Sequence, residues 1–175
     1  MTRVLVAYGS KHGGTGEIAE AIGKVLAGQG CEVDVVPAGE VDHPEAYDAV
    51  VLGSGVYVGR WQGDAMNLLK RHERTLATRP TWLFSSGPTG GTEAAEAIVR
   101  RVHADPTGEP PVKEVAKRAE RIGARGHATF GGWITPEMGG IFARWMPRGD
   151  WRDFAVIERW AAGIAGALVR ERAPA

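Results

Sequence analysis

The sequence is poor in cysteine, in net charge and in long apolar runs, and each shortage removes a class of function. A single cysteine, Cys31, among 175 residues excludes a disulfide framework within the chain and suits a reducing compartment. It falls between a helix-like and a strand-like run, where a small buried residue is expected rather than a nucleophile. The 21 basic and 21 acidic residues leave a formal net charge of +0. A nucleic-acid partner, which calls for a basic face, is therefore not expected. No run reaches the roughly 18 apolar residues of a membrane-spanning helix. Met1-Thr2-Arg3-Val4 leads straight into a strand-like run with no secretory leader pattern, so a cytoplasmic location is expected. His43, His72, His103 and His127 lack metal-ligand spacing and read as surface residues, so no metal is expected. Both of the commonest phosphate motifs, G-x-x-x-x-G-K-[ST] and G-x-G-x-x-G, are also missing.

What is present is alternation. The chain is 43% hydrophobic with 25 glycines, as suits one loop-rich α/β domain over residues 1–175. Apolar runs predict strands at Arg3–Tyr8, Glu32–Val36, Asp48–Gly53, Thr81–Ser85 and Ala128–Gly132. Helical spacing predicts helices at Gly14–Gln29, Gly63–Thr78, Val112–Ile122 and Asp153–Val169, with a short one at Glu93–Val102. Between these, residues 86–111 read as irregular and Trp133–Asp150 as a loop or broken helix. Strands alternating with helices imply a parallel sheet covered on both faces. Such sheets bind ligands beyond the C-terminal strand ends, where strand order reverses.

Three loops should meet there. Ser10-Lys11-His12-Gly13-Gly14-Thr15 lies between the first strand and the first helix. Ser10 and Thr15 supply hydroxyls, Gly13 and Gly14 open the backbone to close approach, and a helix N-terminus favours an anion. The loop suits a single phosphate monoester. Lys11 and His12 add positive charge beside it. The second loop, Gly53 to Trp61, combines glycines with the flat side chains Tyr57 and Trp61. The third, Ser85 to Gly91, is small and flexible. An anionic tail at the first loop and aromatics at the second describe a ligand with a phosphate and a planar ring.

These residues resemble the flavodoxins, over nearly the whole chain. Within that superfamily the chain is most similar to flavodoxin-domain proteins related to menaquinone-dependent protoporphyrinogen dehydrogenase. The likeness rests on Ala7–Gly13, on Val51–Tyr57 with Gly59-Arg60-Trp61, and on Gly149–Phe154. It implies a three-layer doubly wound fold with a five-stranded parallel sheet in the order 2-1-3-4-5. It also implies bound FMN, its phosphate in the first loop and its ring between the second and third. The ring contacts expected are Ser54, Gly55, Val56, Tyr57, Val58, Gly59 and Trp61 on one side and Ser86, Gly87, Pro88 and Gly90 on the other. No dedicated acid–base side chain is expected, because the flavin carries the redox chemistry.

The implied activity is FMN-dependent oxidation, with protoporphyrinogen IX as donor and a quinone as acceptor. The alternatives are an electron carrier serving a reductase and a flavin-free binding module on the same fold. Carrier flavodoxins are acidic, and a neutral chain lacks the field that steers such docking. The apolar, aromatic segment 133–148, with Arg144 and Arg148, is the expected docking surface for a tetrapyrrole, a quinone or a membrane face. The competing expectation is that it folds back and buries Phe142, Trp145 and Met146.

Overall fold

The computed structural model describes residues 1–57, 59–87, 113–134 and 149–172. The expected helix at 93–102, the bulk of segment 133–148, and Val58, Pro88 and Gly90 lie outside them. Strand β1 (Arg3–Gly9) leads into helix α1 (Gly14–Gly28), then β2 (Glu32–Pro37) and β3 (Ala49–Tyr57). A two-residue β4 (Arg60–Trp61) precedes α2 (Gly63–Arg71) and α3 (Glu73–Ala77). Then come β5 (Thr81–Gly87), α4 (Lys113–Arg121), β6 (Gly126–Gly131), β7 (Trp133–Ile134), β8 (Gly149–Asp150) and α5 (Phe154–Arg172).

Five parallel strands run in the order β2-β1-β3-β5-β6. This is the expected doubly wound sheet; its numbering shifts because the short β4 intervenes and pairs antiparallel with β3. β3 is central, as its continuous apolar run predicts. Side chains alternate between the two faces. Val4, Val6, Val51 and Phe84 pack with α1 and α5, around Ile18, Ile22, Ile157 and Ile164. Leu5, Leu52 and Leu83 pack on the other face with Leu68, Leu69, Leu76 and Val115. Cys31 is half-buried against the first of these clusters. The expected helix at Gly63–Thr78 is broken at His72. The charges of α4 do more than meet solvent, since Arg118 bonds Glu73 at 2.6 Å and Glu114 bonds Lys70 at 2.8 Å.

The largest departure from expectation is β3, which runs to Tyr57 rather than ending at Gly53. The glycines that read as loop are strand positions at close approaches. A Cβ at Gly53 would enter the ring of the fully buried Phe84, and one at Gly55 would stand 2.9 Å from Thr15 Oγ1. Tyr57 pairs with Arg60, and Gly59 takes φ 69, so Gly53–Trp61 is a strand end and a hairpin. At the two ends of the segment read as a loop or broken helix, Trp133–Ile134 pairs antiparallel with Gly149–Asp150, and residues 135–148 lie outside the described residues.

Candidate functional site

The first loop sits at the C-terminal end of β1, between β2 and β3. Gly13 adopts φ 89 and donates its N–H to Ser10 Oγ at 2.9 Å, which closes the turn. A Cβ added at Gly13 would meet nothing within 4 Å, so the turn faces open space. The helical hydrogen bonds of α1 begin with Glu17 N–H to Gly13 C=O at 3.2 Å. The N–H groups of Gly14, Thr15 and Gly16 precede that first bond and belong to the donor-rich end of the helix. Lys11 and His12 are exposed on the rim.

Thr15 is buried, and its Oγ1 lies 2.9 Å from Ser86 Oγ on β5. A Cβ added at Gly55 of β3 would stand 2.9 Å from the same oxygen. One hydroxyl therefore joins all three expected segments. Ser54 is fully buried and accepts the Gln62 N–H at 2.8 Å. It braces the hairpin from the far face of the sheet. Gly87 packs on Val56, and the backbone of Gly87 lies within reach of a Cβ at Gly132. At the open edge, Tyr57 is 44% exposed and Lys11 Nζ stands 4.4 Å from its ring centroid. A cation over an aromatic face at that distance is attractive, so the first and second segments meet at Tyr57.

Trp61 does not join them. It is buried, and its Nε1–H donates to Ser85 Oγ at 2.8 Å. Strand alternation is the reason: Trp61 pairs with Val56, on the face opposite Tyr57. The expectation of a ring contact at Trp61 is therefore corrected to a core position. His127 also departs from a plain surface residue. It lies on edge strand β6, exposed overall, while its Nε2 turns inward to Ser85 Oγ at 2.9 Å. Ser85 Oγ thus accepts from Trp61 and shares a second hydrogen bond with His127, whose direction follows the imidazole tautomer.

Desolvation of the ring pushes the His127 pKa below its ordinary value of 6.5. The unfolded chain then holds that proton more tightly than the folded one. Stability is therefore full above about pH 6.5 and declines as pH falls from there toward the lowered folded value. His127→Gln should flatten this decline, read from urea midpoints at about pH 7.5 and about pH 5. An equally steep loss in the variant would show that another group carries it.

Sequence reasoning missed Arg152 as a site residue. Its side chain is only 7% exposed. Nε and Nη2 grip both Asp150 oxygens, at 2.8 and 2.6 Å. Nη1 reaches the Gly14 carbonyl at 3.4 Å and bonds Glu17. The guanidinium lies 5.3 Å from the ring centroids of both Trp133 and Phe154. The Asp150 hydrogen bond raises the Arg152 pKa further, and Arg152 in turn lowers that of Asp150. No local pattern signals an arginine 135 positions from Glu17.

A donor-rich helix N-terminus stands beyond the sheet, faced by glycines and an exposed aromatic, and the chain is an α/β protein of the doubly wound class. A family profile described as "Flavodoxin domain" matches residues 5–146, and the chain belongs to that family. Flavodoxin-like proteins typically bind flavin. Protoporphyrinogen IX dehydrogenase [quinone] of Escherichia coli is 27% identical over 85 residues, 47% of each chain. The chain thus spans about half the length of the curated relatives it matches. A flavodoxin from the domain Archaea superposes with a TM-score of 0.60 at 18% identity, over 95% of this chain and 98% of its own. The rubredoxin oxygen:oxidoreductase of Desulfovibrio gigas gives 0.64 at 14% identity, over 99% of this chain and 38% of its own. These likenesses establish the fold. Among the described residues, no helix is long and apolar enough to cross a membrane.

Proposed function

We propose that the protein holds FMN by its phosphate in the loop Ser10–Thr15 and acts as an oxidoreductase, passing electrons from protoporphyrinogen IX to a quinone. The observation that carries the cofactor is the turn at Gly13, which faces open space at the N-terminal end of α1, where the N–H groups of Gly14, Thr15 and Gly16 precede the first helical hydrogen bond. That arrangement fits a phosphate monoester. Ser10 and Thr15 would add hydroxyl contacts, and Lys11 a compensating charge. Gly55, Val56, Tyr57 and Gly59 would line one side of the ring, with Ser86 and Gly87 on the other. Val58, Pro88 and Gly90 complete the proposed set.

When bound, flavin supplies two-electron acceptance, as hydride or in single steps. The chain's own residues bind, orient and shield. Tyr57 offers a flat exposed surface, and glycines at 55 and 87 let backbone approach closely. Support for the donor and acceptor comes from the 85-residue match to the Escherichia coli enzyme. The even charge balance speaks against a carrier steered to its partner by a strong field. Cytoplasmic work, with docking of the apolar donor or a membrane face through segment 133–148, belongs to the same proposal.

The test is anaerobic. FMN-loaded protein mixed with protoporphyrinogen IX should generate porphyrin fluorescence only when menaquinone is added, with matching loss of the oxidised quinone. Loaded protein that gives neither change would remove this donor–acceptor pair and leave the carrier reading.

A further inference from the structure

Arg152 joins two parts of the molecule that are far apart in sequence. On one side are Trp133 and Asp150, which form the base of the β7–β8 ribbon and pair with each other. On the other is the first turn of α1, through the Gly14 carbonyl and Glu17. Trp133 also packs against Gly14, where an added Cβ would lie 3.4 Å from the Trp133 Cβ. The guanidinium is thus shared between two carboxylates and framed by two aromatic rings. Arg152, Asp150 and Glu17 together carry one net negative charge.

Glu17 poses an electrostatic problem. An acid in the first turn of a helix favours the helix itself. It also sits beside the donors that a phosphate dianion would use, and like charges at short range repel. We infer that Arg152 is a positioning residue for the phosphate site: it fixes the first turn of α1 to the ribbon base and cancels Glu17, and so sets how strongly the site prefers a phosphorylated flavin. This rests on the FMN reading above.

The preference is the ratio of riboflavin Kd to FMN Kd, measured by fluorescence quenching of each flavin. Arg152→Gln makes the cluster more negative, and the ratio should fall on the order of tenfold. Glu17→Gln makes it less negative, and the ratio should rise. The double variant restores the charge of the native cluster, and its ratio should return toward that of the native protein. A purely architectural role predicts something else: both flavins weakened together by R152Q, with no rescue in the double variant. That pattern overturns the inference. Should R152Q fail to fold, E17Q alone decides, since an unchanged or lowered ratio contradicts the proposal. A native protein that does not distinguish FMN from riboflavin would instead overturn the FMN reading itself, and this inference with it.

Discussion

Replacing Gly53 by alanine should cost the protein at least about 3 kcal/mol and lower its Tm by roughly 10 °C. Gly53 is a buried position in the middle of central strand β3. A Cβ there would penetrate the ring of Phe84 on β5. Phe84 is fully buried, packs at 6.1 Å from Phe130 and 6.3 Å from Trp160 between ring centroids, and has nowhere to retreat. The strands themselves are locked by the β3–β5 register, in which Gly53 lies opposite Phe84. The usual relief of overpacking, a side-chain shift, is therefore closed. Adding Phe84→Leu removes most of the clash, so G53A/F84L should be more stable than G53A despite the cavity a smaller side chain leaves. Thermal unfolding of the native protein and both variants checks this. A G53A protein as stable as the native one would show that the strand pair is not packed as described.

Ser10→Asp should leave the fold intact and weaken FMN binding by more than about a hundredfold, with riboflavin binding little changed. Ser10 Oγ accepts the Gly13 N–H at 2.9 Å, and an aspartate oxygen can accept the same bond. A negative side chain just before α1 also suits the helix end. Folding therefore loses nothing, while a carboxylate now occupies the space in front of the donors. Against a phosphate dianion that placement is repulsive; against the neutral ribityl chain of riboflavin it is nearly indifferent. Circular dichroism should confirm the fold, and flavin titration the loss. FMN binding that survives in S10D would move the phosphate away from this loop.

The parts of this account that were legible in the sequence are local. Ser10, Gly13, Gly14 and Thr15 follow one another along the chain, so their role in a turn ahead of a helix can be read directly. Val50, Val51 and Leu52 announce a buried central strand for the same reason. What escaped reading depends on partners elsewhere. Gly53 reads as the end of a strand and Gly55 as a loop residue until Phe84 and Thr15 are placed against them. Trp61 looks like a ligand-facing aromatic until the hairpin pairs it with Val56 and turns it toward Ser85. Arg152 falls in the stretch Gly149–Phe154 that carries the family likeness, but its reach to α1 has no local sign, because its carboxylate and carbonyl partners there lie across the fold. His127 becomes more than a surface histidine only through Ser85.

We propose that the loop Ser10–Thr15 recognises the phosphate of a flavin. Titration of the apoprotein with FMN and, separately, with riboflavin, followed by quenching of flavin fluorescence, tests it most directly. Saturable FMN binding, far tighter than riboflavin binding, is the expected result. Equal affinity for the two flavins, or no binding of either, would contradict it.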